Sequence, residues 1–395
     1  MIGSELKKEL PPIVENGHVL FVGTTFSGNA GGSSVVMGAL TRQFKPESFS
    51  IITIKTTKEF RNSSEVEART LRIGVSPFIR KLRIGRYISL LTYPYLLWRS
   101  VNHAKRVGAK IVVVSFPSLN YVALGMAVAK RLDIPLVAYL HDTLVESLQN
   151  SSLSKAAKRI QNRLFKIAKK IFVMSDGMVD MYRRKYNLET IPLRHIYLGP
   201  RPNEFAPCPV DAKTAFWSGQ IYSINAPGLR RISRVIGAMG WRLFFSGLKS
   251  KARLEAVGLH GDWLDGKYFS NREEYYQKMR SSGVLLLTLV GHDETAVGYE
   301  EISTVFPTKT PEYLASGRPI LVHCPDDYFL AKFFKKYGCG LVVSDYSERA
   351  IRDGLRFLSD EENAAAMRGN AFKAVEQFFP EAVASVFSST VRSLI

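Results

Sequence analysis

Apolar runs of strand length recur along this chain, each followed by a stretch with helical spacing, and that alternation narrows the fold more than any other feature. HVLFVG, SIITIK, IVVVSF, LVAYLHD, KIFVMSD and RHIYLG come first. They are continuous in Val, Ile, Leu and Phe, as strands buried on both faces of a parallel sheet are. GPRPNEFAPCPVDAK then interrupts them with four prolines and no periodicity, and reads as a linker. A second series follows, with TAFWSG, WRLFFSG, GVLLLTLV, PILVHC and GLVVSD as its strands and RRISRVIGAMG among its helices. The predicted fold is α/β, two doubly wound Rossmann-like domains facing each other across a cleft, with ligands expected outside the strand C-terminal ends. The expected domains are residues 1–205 and 206–375.

Residues 111–129 carry no charge and have the length of a membrane span. Pro117 and the SFPSLNY interruption divide them instead into a β-branched strand and a small-residue helix. Cys208, Cys324 and Cys339 show no metal-ligand or CxxC spacing, which predicts isolated thiols, no metal site and a reducing, cytoplasmic setting.

Charge is distributed unevenly. Residues 1–205 hold 31 Lys and Arg against 14 acids, whereas the remainder holds 23 against 21. A one-sided basic field points to an anionic membrane surface, nucleic acid or a polyanionic substrate. Residues 78–100 set Arg80, Lys81, Arg83 and Arg86 among Tyr87, Tyr93, Tyr95 and Trp98, the composition of a helix lying in a membrane interface. Residues 154–170 place seven cations around Ile160, Leu164 and Ile167, a pattern that also suits a core-facing helix with a solvated basic side. No DNA or RNA motif accompanies the charge, so nucleic acid is not the expected partner.

The residues at the strand ends supply the candidate site. FPTKTPEYLASGRPIL places Lys309 and Glu312 three apart on one turn, a cation for phosphate and a carboxylate for ribose hydroxyls, which together suit a nucleotide diphosphate sugar. The plainer reading is a surface ion pair. Gly28, Gly31 and Gly32, in TTFSGNAGGSS after the first strand, would let backbone amides approach a phosphate or sugar. His141 ends an apolar strand, where an imidazole suits a ligand contact, and the neighbouring Asp142 could equally cap a helix in TLVESL. Ser175 reads as a helix N-cap. Gly219 and Lys249 follow strands and could receive a phosphate. The polar loop 290–305, ending near Thr304 and Phe306, is a natural seat for a transferred sugar.

In this order the elements resemble the GT-B glycosyltransferases, specifically the large retaining family that includes bacterial lipopolysaccharide, capsule and phosphatidylinositol mannosyltransferases. The resemblance spans nearly the whole chain and rests on Gly31 and Gly32, YLHD, FVMSDGMVDMY and FPTKTPEYLASGRPIL. It implies that Glu312 holds the ribose, that Gly31 and Gly32 lie by the diphosphate, and that His141 touches the donor sugar. A final helix, within 376–395, is implied to cross back to the first domain, and no metal cofactor is implied. Two features depart from the family pattern: Thr304 stands where an acid belongs, with Glu300 and Glu301 out of step, and Gln220, Pro227 and Gly228 stand where Arg and Lys belong. Lys249, Lys309 or Arg230 would then have to neutralise the diphosphate. The expected function is sugar transfer from a nucleotide diphosphate sugar to a lipid-linked or membrane-presented glycan, on the inner face of the cell membrane. The alternative is a non-catalytic subunit that binds a partner transferase or a glycan.

Overall fold

The computed structural model describes residues 11–15, 17–26, 32–54, 69–73, 85–247 and 252–395. Side chains of Thr25 and of 85–90 are not described. Gly31, Arg80, Lys81, Arg83 and Lys249 lie outside these residues, and Arg86 is placed in its helix without a side-chain description. The chain forms two compact units, one of Met1–Ile196 with Pro380–Ile395 and one of Tyr197–Phe379.

The first unit is built on seven strands, β1 (His18–Val22), β2 (Phe49–Ile54), β3 (Thr70–Ile73), β4 (Ala109–Phe116), β5 (Leu136–Leu140), β6 (Lys170–Val173) and β7 (Ile191–Pro192). Their order is β3-β2-β1-β4-β5-β6-β7, and every pair is parallel. The order reverses between β1 and β4, where Val19 pairs with Ile111 and Val22 with Val114. Val19–Val22 and Ile111–Val114 are wholly buried, as strands covered on both faces must be. The helix Pro380–Arg392 belongs to this unit, and its Phe387 ring lies 5.9 Å from Phe21 and Phe44 and 5.6 Å from Phe172.

In the second unit β8 (Asp211–Ser218), β9 (Arg242–Ser246), β10 (Leu264–Lys267), β11 (Ser282–Thr288), β12 (Ile320–His323) and β13 (Leu341–Val342) lie in the order β10-β9-β8-β11-β12-β13. All are parallel, and the order reverses between β8 and β11. Both sheets are therefore doubly wound, each with one switch point.

Three sequence expectations need correction. RHIYLG is not a strand; the short β7 lies just before it, because pairing to β6 occurs at Ile191 and Pro192. TLVESL forms only a one-turn 3-10 helix, Glu146–Leu148, preceded by Val145, so Asp142 caps no α-helix. The buried line of helix Ser154–Ile167 runs through Ala157, Gln161 and Leu164, while Ile160 is half-buried and Ile167 is exposed. The uncharged run divides as expected into β4 and helix Leu119–Leu132. Among the described residues no helix is long and apolar enough to cross a membrane.

Candidate functional site

The C-terminal end of β8 is the point on which the second unit's polar side chains converge. Lys309 Nζ donates to the Ser218 carbonyl at 2.6 Å. The Ser218 amide donates to the Tyr313 hydroxyl at 2.9 Å. Ser218 Oγ lies 3.2 Å from the Tyr275 hydroxyl, which in turn lies 2.6 Å from Glu312 Oε2. A phenol has one proton; Tyr275 donates it to the carboxylate and accepts from Ser218. Arg272 Nη2 completes the set, 2.6 Å from Glu312 Oε1 and 2.7 Å from the Tyr276 hydroxyl.

Local sequence explains this convergence. Pro311 in the first turn starts helix Thr310–Ala315, whose Tyr313, Leu314 and Ala315 are wholly buried, and Gly317, with φ +74°, turns the chain into β12. The helix has only six residues. Its aligned dipole is correspondingly small, so the phosphate-binding role expected of its free amides is not supported by its length.

Lys309 and Glu312 do reach the same neighbourhood, but both are already engaged. Lys309 as a residue is half-buried, yet its ammonium is the enclosed end, lying 2.9 Å from the Trp217 ring centroid. Burial pushes its pKa well below the ordinary lysine value, against the opposing pull of Glu312. The ammonium thus braces the end of β8. Burial raises the Tyr275 phenol, and the Glu312 charge raises it further, so it stays a donor.

Beside Ser218 the backbone is bare. Gly219 has φ +102° and Gly247, at the end of β9, φ +96°, values that side-chain-bearing residues rarely adopt. A Cβ on Gly219 would meet no atom within 4 Å, and one on Gly247 would meet the Gly219 backbone first, at 3.8 Å. Two neighbouring strand ends therefore present open peptide surface next to the Glu312 carboxylate network.

Other predicted residues have structural duties. The Thr304 hydroxyl donates within its own turn, 3.0 Å from the Glu301 carbonyl and 3.2 Å from that of Glu300. The Phe306 ring stacks on Phe378 at 5.7 Å and meets Phe333 at 4.9 Å, so it supports the core. The Arg230 guanidinium is bonded to the Val257 carbonyl at 2.9 Å. Ser175 is an N-cap, accepting from the Met178 amide at 3.2 Å. Gly32 opens helix Gly32–Thr41 after β1.

A second polar cluster, which the sequence reading missed, lies at the ends of β11 and β12. Arg231 makes a two-pronged pair with Glu294, and its Nε donates to His323 Nε2 at 3.3 Å. His323 Nδ1 lies 2.8 Å from the Val343 carbonyl, which fixes the tautomer protonated at Nδ1. Burial holds His323 down to about 4, so it is neutral near pH 7. The available signal was His323 itself, an imidazole ending PILVH as His141 ends LVAYLH.

In the first unit His141 stands just past β5, 7% exposed, with its ring centroid 4.3 Å from that of Tyr139. Neither ring nitrogen has a hydrogen-bond partner among the described residues. Burial, reinforced by His195, lowers its pKa to about 3, so the imidazole is neutral near pH 7. The helix Gly85–Arg106 exposes Leu91 (81%), Tyr95 (55%) and Trp98 (61%), with Tyr95 and Trp98 stacked at 6.0 Å. Among the described residues no group of three His, Cys, Asp or Glu is placed to hold a metal ion.

Comparison with known proteins agrees with the fold. Residues 30–203 match the family model Glycosyltransferase Family 4. A search of curated proteins finds no match. Among solved structures, sucrose-phosphate synthase from Thermosynechococcus elongatus superposes with TM-score 0.67 at 16% identity, covering 96% of this chain and 99% of its own. Anabaena HepE, solved with UDP, superposes with TM-score 0.68 at 12% identity over 95% of this chain and 100% of its own. A glycosyltransferase from Rickettsia africae gives 0.63 at 10% identity over 96% and 99%. The chain has the GT-B fold, and its first half carries the family 4 pattern.

Proposed function

We propose that this chain, a GT-B glycosyltransferase, moves a hexosyl group from a nucleotide diphosphate sugar to a lipid-linked or membrane-presented glycan, with retention of anomeric configuration. The observation that carries the donor half of this reading is the Glu312 carboxylate, held by Tyr275 and Arg272 beside the bare backbone of Gly219 and Gly247. A carboxylate pinned by two donors keeps lone pairs free for vicinal hydroxyls, as ribose presents them. With no side chains in the way, the glycine backbone admits a diphosphate to close range, although the Gly219 and Gly247 amides themselves donate to the Ser246 and Lys267 carbonyls. The UDP-bound state of HepE and the family 4 pattern support the same donor class.

Catalysis, on this reading, is positioning and stabilisation of the departing diphosphate as the sugar becomes cation-like, and the step uses no metal cofactor. His141, neutral and with both ring nitrogens unpartnered among the described residues, is assigned to a hydroxyl of the donor sugar. The acceptor half rests on the first unit's positive charge and on the exposed Leu91, Tyr95 and Trp98, which suit peripheral attachment to an anionic membrane, on its cytoplasmic face. Thr304, at the position of the absent acid, and Lys309, already bonded within the protein, favour one second reading, a binding subunit without turnover.

Consumption of a panel of uridine, guanosine and adenosine diphosphate sugars, with membrane extract as acceptor source, tests the proposal. Turnover of one donor, lost in Glu312→Ala, supports the enzyme. Donor binding with no turnover under any acceptor condition supports the second reading. Undiminished turnover in Glu312→Ala rejects the site.

A further inference from the structure

Helices Gly85–Arg106, Leu119–Leu132 and Ser154–Ile167 pack side by side in the first unit, and the middle one turns small side chains outward. Ala123, Ala127 and Lys130 follow at i, i+4 and i+7, so the outer helices flank a depression floored by methyl groups. One part of it, about 210 Å³, lies between Tyr93, Ala127 and Ile160. A larger part, about 520 Å³, continues past Met126 to Pro135 and Ile167. Arg163 and Met126 line both parts, which makes them one groove. Its volume falls within the range of roughly 300–1,000 Å³ typical of small-molecule sites.

Three observations define the occupant. The lining is mostly apolar, and Ile160 and Ile167, the residues displaced from their helix's buried line, contribute to it. Arg159 and Arg163 stand along one rim, with Lys130 and Lys169 near the wide end; Asp133 is the sole acid in the lining. None of these four cations makes an ion pair among the described residues, so the groove carries uncompensated positive charge around an apolar floor. An apolar channel with a cationic rim matches an anionic amphiphile, a hydrocarbon chain on the floor and a phosphate at the guanidinium groups.

We infer that this groove binds one molecule of an anionic membrane phospholipid, an acyl chain lying over Ala123 and Ala127 and the phosphate at Arg159 and Arg163. The site is separate from the donor and sugar contacts. Pro135, Leu136 and Lys169 lie at the starts of β5 and β6, the end of the sheet opposite to that at which doubly wound folds bind their ligands. Its consequence is that attachment selects lipid headgroup charge through a defined pocket, in addition to any adsorption through the exposed aromatics of helix Gly85–Arg106. The inference deepens the membrane reading of the proposed function.

Dihexanoylphosphatidylglycerol, kept below its micelle concentration and titrated calorimetrically into the full chain, tests the pocket without vesicles, donor or acceptor. Its outcome is therefore read apart from vesicle binding and from turnover. Saturable 1:1 binding is expected, at least about tenfold tighter than dihexanoylphosphatidylcholine, a difference worth about 1.4 kcal/mol. Ala127→Leu, which fills the floor, and Arg163→Glu, an exposed change that leaves the core untouched, should each weaken it about tenfold or more. Glycerol phosphate alone should not bind measurably. Equal affinity for the two lipids overturns the inference, as does unchanged affinity in a folded Ala127→Leu or in Arg163→Glu, or glycerol phosphate binding as tightly as the lipid.

Discussion

Tyr275 gives its phenolic proton to Glu312 across 2.6 Å while its oxygen lies 3.2 Å from Ser218 Oγ, so one buried ring ties the carboxylate to the end of β8. The Glu312 side chain is 18% exposed, and without Tyr275 only Arg272 would hold its carboxylate. Tyr275→Phe removes this tether and keeps the ring's packing against Phe216 and Tyr276. The expected result is a loss of donor affinity of about 1–2 kcal/mol, a factor of roughly 5 to 30, with the melting temperature little changed. Fluorescence or calorimetric titration of the variant checks it.

His323 couples stability to acid. It is fully buried, its folded pKa is about 4, and its ordinary value is 6.5, so between these values the unfolded chain binds the extra proton. Stability therefore falls as pH drops from 6.5 towards 4, and this residue's share of the loss at pH 5 is about 2 kcal/mol. His141 and His103, held near 3 and 4 by burial, act in the same direction. In His323→Gln the difference between urea midpoints at pH 7 and pH 5 should shrink by that one share.

Phe387 joins the C-terminal helix to the first unit's core through Phe21, Phe44 and Phe172. Phe387→Ala should cost about 3–5 kcal/mol, a wholly buried aromatic having been removed. The Glu312 network assigned to the nucleotide belongs to residues of the other unit, so affinity for the nucleoside diphosphate alone, measured below the melting transition, should stay unchanged.

Leu91, Tyr95 and Trp98 occupy positions i, i+4 and i+7 of helix Gly85–Arg106 and all face solvent. If they anchor the protein, Leu91→Asp with Trp98→Ala should release it from phosphatidylglycerol vesicles, measured by sedimentation at low salt. The wild type should bind such vesicles and detach at high salt, since cations and apolar side chains act together.

How far the sequence revealed this molecule depended on the range of the forces involved. β1, β4 and β11 were legible because each contains a continuous apolar run, and burial of both faces demands that pattern. TLRI and LDGK, the strands β3 and β10, have too few apolar residues to be read alone; they become strands by pairing with β2 and β9 at the sheet edges.

The site divides in the same way. Glu312 was conspicuous within its motif, but its partners Arg272 and Tyr275 lie 40 and 37 positions earlier, and the Ser218 carbonyl that engages Lys309 lies 91 earlier. Spacing on one helix turn placed Lys309 and Glu312 on the same side, yet it could not disclose that both were already bonded. Phe306 and Thr304 were read as ligand contacts because they sit in the right loop, where core packing and a local hydroxyl bond in fact occupy their side chains. The groove over Ala123 and Ala127 was illegible for a related reason: small residues signal a depression only when the neighbouring helices are in place.

The account turns on an activated sugar being held by its nucleotide diphosphate beside Gly219 and Glu312. The direct test is calorimetric titration of the full chain and of Glu312→Ala with uridine, guanosine and adenosine diphosphate sugars. One donor class should bind the wild type saturably, and Glu312→Ala should weaken it roughly 10- to 100-fold, the loss of hydrogen bonds to a charged group. Absence of heat with every donor, or equal affinity in the two proteins, would contradict the account.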